Sequence, residues 1–102
     1  MAFLCLLEIE LHLPESADLK GKRKQLHSLK AHLRRRFGAA VAETDHHDLR
    51  QRATIAAALV AVDRQALEQQ ADSLQRYVEG RFGDWVRWER TVRSTAELKG
   101  GH

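Results

Sequence analysis

Two clusters in this sequence of 102 residues carry side chains able to do chemistry. Asp45-His46-His47-Asp48 sets two carboxylates and two imidazoles in succession, donors of the kind that hold a divalent metal and activate its water. Lys20, Lys22, Arg23, Lys24, Lys30, Arg34, Arg35 and Arg36 fall within 17 residues, and no Asp or Glu lies between Leu19 and Ala42. Cations at that density contact phosphates and give salt-dependent, largely sequence-independent affinity for RNA or DNA. Each cluster also has a plain structural use. A turn between strands uses Asp to accept backbone N–H bonds, with His merely polar. A cationic helix face can be solvated, its stems covering apolar surface.

The first cluster reads as a turn. Metallohydrolases with Asp-His-His draw further ligands from distant motifs, which a chain of 102 residues does not supply. No metal or other cofactor is expected. The second cluster changes the meaning of the net charge of +3. The other nine Lys and Arg face 14 Asp and Glu, so a segment of +8 is carried by a body of −5. RNA is therefore the partner the charges favour.

Composition bounds the class. A hydrophobic fraction of 43% with 30% charged residues is that of a globular domain, neither disordered nor membrane-spanning. The single cysteine excludes an internal disulfide and favours a reducing, cytoplasmic setting. The apolar run Ala2 to Leu7 has no basic residue before it and meets Glu8 and Glu10, unlike a secretory signal.

The elements that must position these residues follow from periodicity. Phe3, Cys5, Leu7, Ile9 and Leu11 alternate with Glu8, Glu10 and His12, a strand that Pro14 ends. Leu26, Leu29, Leu33 and Phe37 form the apolar stripe of a helix beginning at Leu19, with Asp18 as N-cap and Gly38 as C-terminal glycine. Ala40 to Asp45 is a short strand, and Arg52 to Val62 a strand covered on both faces. Asp63 caps a second helix with Leu67, Ala71, Leu74 and Val78 inward, closing at Gly83. Trp85 to Val92 is the last strand, and residues 94–102 lack periodicity and read as a flexible tail.

The order β-α-β-β-α-β contains a weak repeat. Arg36-Phe37-Gly38-Ala39-Ala40-Val41 and Arg81-Phe82-Gly83-Asp84-Trp85-Val86 share Arg-Phe-Gly-x-x-Val, 45 residues apart. Two β-α-β halves with interleaved strands predict one α+β domain over residues 1–93. It is a ferredoxin-like α/β plait, a four-stranded antiparallel sheet of order 4-1-3-2 with two helices on one face.

The face away from the helices is predicted to be partly apolar through Leu4, Leu6, Ala56, Ala58 and Val60, with an exposed Trp85 as anchor. Such a patch favours a homodimer. Cys5 is expected in the core and so inert. Acylphosphatase, of similar fold and length, relies on an Arg and an Asn, and this chain has no Asn. No Ser-His-Asp set or P-loop is present, so no catalytic constellation emerges. An RNA-recognition motif would stack bases on aromatics of its central strands, where this chain places Glu8 and Glu10.

Three segments together resemble the YlxP-like family of small bacterial proteins: Glu10-Leu11-His12-Leu13-Pro14, Leu19-Lys20-x-Lys22-Arg23, and Val41-Ala42-Glu43-x-Asp45-His46-x-Asp48-Leu49-x-Gln51-Arg52-Ala53-Thr54. The resemblance spans roughly residues 3–93, with Gly21, Asp18, His47 and Arg50 departing from the usual pattern. It implies a ferredoxin-like fold, no established reaction, and genes among those of translation and ribosome maturation. Within that pattern Glu43, Asp45, Asp48, Gln51 and Arg52 are expected to form a network locking the hairpin. The leading expectation is a non-enzymatic, RNA- or ribosome-associated protein binding through its basic helix. The alternative is a homodimeric protein- or ligand-interaction module using the open sheet face.

Overall fold

A computed structural model describes residues 1–100. The chain runs β1 (Phe3–His12), α1 (Leu19–Phe37), β2 (Ala40–Asp45), β3 (Arg52–Ala61), α2 (Arg64–Phe82), β4 (Val86–Ser94) and α3 (Thr95–Gly100). The four strands make one antiparallel sheet of order β2-β3-β1-β4, which is the predicted 4-1-3-2 read from the other edge. Here the predicted plait and the observed sheet agree.

Each boundary has a local cause. Asp18 accepts the Gly21 N–H at 2.7 Å and starts α1; Asp63 accepts from Gln65 and Ala66 and starts α2. Both long helices end on the repeated Arg-Phe-Gly. Gly38 and Gly83 take φ of 64° and 63°, and Arg36 and Arg81 lie over the Phe37 and Phe82 rings at 5.7 and 5.5 Å. The predicted irregular tail is corrected over Thr95–Gly100, which is helical. Ser94 and Glu97 cap each other reciprocally, Glu97 Oε1 accepting the Ser94 N–H and Ser94 Oγ accepting the Glu97 N–H. The rest of that tail lies outside the described residues.

The core lies between sheet and helices. Cys5, Leu7, Ile9 and Leu11 of β1 and Ala53, Ile55, Ala57 and Leu59 of β3 meet Leu26, Leu29 and Leu33 of α1 and Leu67, Ala71, Leu74 and Val78 of α2. Alternation puts the other strand residues on the open face. Register makes that face two-sided. Leu4 pairs with Val60, Leu6 with Ala58, and Ala40 and Ala42 flank Ala58 and Ala56, giving an apolar end. Toward the other end stand Glu10, Arg52 and Arg87, and Glu10 pairs with Arg52.

Trp85 does not join the apolar patch. Its carbonyl accepts the His12 N–H at 2.9 Å, and its ring meets His12 edge-on at 5.0 Å. Leu4 and His12 are eight residues apart on β1, about 26 Å. The expected dimer anchor is thus at the wrong end of the sheet. Trp88 opposes Ile9, so it faces the helices and packs on the core, its buried indole N–H without an acceptor among the described residues.

Candidate nucleic-acid interface

The basic helix does not present all eight cations. Lys22 lies four residues before Leu26 and shares the buried stripe with it, only 1% exposed. Its Nζ donates to the His46 carbonyl and stands 3.2 Å from Glu43 Oε2, an ion pair lacking hydrogen-bond alignment. Lys22 is therefore corrected from a phosphate contact to a buried structural cation. A lysine there is tolerated because its charge is met by a carboxylate and a carbonyl.

The remaining seven differ sharply from it. Among the described residues, none of Lys20, Arg23, Lys24, Lys30, Arg34, Arg35 and Arg36 makes an ion pair. Lys30 is half-buried and the other six are exposed. At about 100° per residue, Lys30, Arg23, Arg34, Lys20, Lys24 and Arg35 sweep one arc of about 140° beginning beside the apolar stripe. Arg36 alone falls on the opposite flank, toward α2. Arg34 Nη2 donates to the Val41 carbonyl at 2.8 Å, which identifies the arc's inner margin as the side beside β2. A cationic ridge with no internal neutralisation runs the length of α1.

The expected hairpin network is corrected in its wiring. Its members reach outward rather than to one another. Glu43 goes to Lys22, with His47 Nε2 at 4.0 Å; Gln51 Nε2 donates to the Pro14 carbonyl at 3.1 Å; Arg52 pairs with Glu10. Asp45 Oδ1 accepts the adjacent His46 N–H at 2.7 Å, and Asp48 makes no side-chain bond among the described residues. His46 adopts φ 62°, a left-handed conformation uncommon for a side chain of its size. That conformation aims its carbonyl at Lys22 while its Nδ1 meets Thr54 Oγ1 at 2.9 Å. The turn's polar groups serve the turn, and no group of three His, Cys, Asp or Glu gathers around a metal-sized space among the described residues.

Sequence reasoning placed α2 but gave it no part in the site. Its apolar stripe leaves two flanks of opposite character. Gln70, Ser73, Tyr77 and Arg81 look toward α1, while Glu68, Asp72 and Glu79 fall on the far flank, where Asp72 binds Arg90 of β4 at 2.9 Å. Tyr77 stacks on His32 of α1 with centroids 3.9 Å apart and planes 6° from parallel. Arg81 bridges the helices, donating to the Tyr77 hydroxyl at 3.0 Å and to Ser28 Oγ at 3.1 Å. Removal of His32 from water, with Arg36, Arg35 and Arg81 nearby, lowers its pKa from the usual 6.5. The Cys5 thiol is fully buried, and burial raises its pKa.

No helix among the described residues is long and apolar enough to cross a membrane. The fold is shared by proteins of unrelated sequence. A de novo designed protein, Foldit4, superimposes with a TM-score of 0.60 at 9% identity over 93% of this chain and 99% of its own. A dinuclear metal-binding peptidase of the M20 family from Bacillus subtilis gives 0.55 at 15% identity, over 90% of this chain but 26% of its own. At such identities the likeness is one of fold alone. Among curated proteins no sequence matches significantly. A family model described as a protein of unknown function, DUF503, covers residues 4–89, and the chain belongs to that family.

Proposed function

We propose that this protein is a non-enzymatic RNA-binding protein that holds phosphates along the outer ridge of α1. The observation that carries the reading is the unneutralised ridge: six cations on one arc of α1, with Arg36 on the other flank, and none of the seven in an ion pair among the described residues. Solvated cations on globular surfaces ordinarily stand among carboxylates, as Arg64 does with Glu68 at 3.7 Å. Like charges aligned without counter-charge repel one another, and a polyanion relieves that repulsion while releasing its own counterions. The resemblance to the YlxP-like family, whose genes lie among those of translation, makes ribosomal RNA in the cytoplasm the first target to test. Affinity for an rRNA fragment is measured across a salt series, with Lys20, Lys24 and Arg35 reversed together to Glu. Steep loss with salt and abolition by the reversal are expected; binding that survives the reversal removes the reading.

A second reading rests on the sheet. Leu4, Leu6, Ala56, Ala58 and Val60 form a continuous apolar end of the open face, Val60 being 67% exposed. A twofold homodimer through this end would leave the α1 ridges of both copies outward. Light scattering tests it: a monomer at micromolar concentration removes it.

A further inference from the structure

We propose that the groove between α1 and α2 seats one backbone phosphate of the bound RNA, gripped by Arg36 from α1 and Arg76 from α2 with Ser73 Oγ and His32 beside them. The proposal rests on the α1 reading and extends it onto a second helix.

The groove is a hollow of about 390 Å³ lined by His32, Arg36, Phe37, Ser73, Arg76 and Tyr77. Among the described residues no carboxylate lines it, although α2 carries three of them. All three lie on the far flank, so the face turned to α1 holds only neutral and cationic groups. This separation is a property of the helix pair, not of overall charge.

The groups within the hollow are held ready. The His32–Tyr77 stack and the Arg81 bridge to Ser28 and Tyr77 tie the helices together and make a firm floor. Arg36 lies over Phe37, and among the described residues it makes no ion pair and Arg76 is bonded only to Ser73 Oγ, at 3.1 Å. His32 Nε2 is buried beside the hollow and has no hydrogen-bond partner among the described residues. Desolvation first, and then Arg36, Arg35 and Arg81, lower the pKa of His32, so arginines of both helices act on it. Two guanidinium groups lining one hollow beside the Phe37 and Tyr77 rings suit an oxyanion with several oxygens, such as a phosphodiester, better than an apolar group.

The test separates the seat from the ridge. A single-stranded oligoribonucleotide, prepared once with a 5′-hydroxyl and once with a 5′-phosphate, is titrated against wild type, Arg76→Glu, Arg76→Ala and Lys24→Glu across a salt series. Arg76 is exposed and outside the core, so both variants keep the fold. Loss of a charge-assisted contact corresponds to about tenfold weaker binding, with the salt slope shallower by about 0.7. That result for Arg76→Ala as well as Arg76→Glu supports the seat. Wild-type affinity and slope in Arg76→Ala, with Lys24→Glu weakened, overturn the seat and leave the ridge standing. Absence of binding by the wild type overturns both. If the weakening appears only when the oligonucleotide carries a 5′-phosphate, the occupant is a terminal phosphate and the backbone seat is overturned.

Discussion

Lys22 Nζ stands 3.2 Å from Glu43 Oε2 beneath the β2–β3 turn, with side-chain exposures of 2% and 17%. The pair ties α1 to β2, and the same ammonium holds the His46 carbonyl. Two positions along the helix, Lys24 is exposed and makes no ion pair among the described residues. One helix thus carries lysines of opposite purpose, separated by about 200° of rotation.

The contrast is testable by paired substitutions. Lys22→Ala strands Glu43 and the His46 carbonyl, and urea denaturation is expected to register a loss of about 2–3 kcal/mol. Lys24→Ala is expected to leave stability within about 0.5 kcal/mol and to weaken RNA binding instead. Equal stabilities for the two variants would place Lys22 outside the core.

Salt dependence reports how much of the ridge is used. With single-stranded RNA the slope of log K against log salt falls by about 0.7 for each phosphate contacted. Engagement of the six cations of the arc predicts a slope near about −4. A slope near zero would mean that the ridge is merely solvated.

The His32 imidazole gives a pH signature. Its folded pKa is lowered by desolvation first and by Arg36, Arg35 and Arg81 next, so the fold favours the neutral ring. The sign follows from linkage: the stabilising contribution is present above the unfolded value near 6.5 and is lost as pH falls below it toward the folded pKa. His32→Phe keeps the stack on Tyr77 without a titrating group. Urea midpoints between pH 7.5 and 5 are expected to fall less steeply in that variant, and identical pH profiles would contradict the assignment.

Two glycines make opposite predictions. Gly38 ends α1 at φ 64°, so Gly38→Ala meets no neighbour within 4 Å yet is expected to cost about 1 kcal/mol in backbone strain. Gly80 lies inside α2 with open space around it, so Gly80→Ala is expected to stabilise by about 0.5 kcal/mol. Thermal melts decide both signs.

The homodimer reading of the apolar sheet end predicts that Val60→Asp lowers the mass seen by light scattering to that of a monomer. Trp85→Ala, about 26 Å away along the strands, is expected to leave that mass unchanged. Dependence on Trp85 rather than Val60 would relocate the interface to the charged end.

What the sequence determined by itself was the frame, because its signals are local. Period 2 in Phe3 to Leu11, period 3.6 in Leu26 to Phe37, caps at Asp18 and Asp63, and the repeated Arg-Phe-Gly define elements close to those observed. Lys22 carried a legible warning, since it stands on the Leu26-Leu29-Leu33 stripe, but Glu43 is its partner only through folding. Parity told that Trp85 and Trp88 face opposite ways; only strand register decided that Trp88 enters the core and Trp85 meets His12. The α1–α2 groove belongs wholly to the tertiary structure. Arg36 and Arg76 are 40 residues apart, and no local pattern reveals that packing turns Asp72 of α2 to Arg90 of β4 and leaves the neutral and basic side of that helix to α1. Charge along a chain is a property of sequence, whereas the field a ligand meets is a sum over distances that only the fold sets.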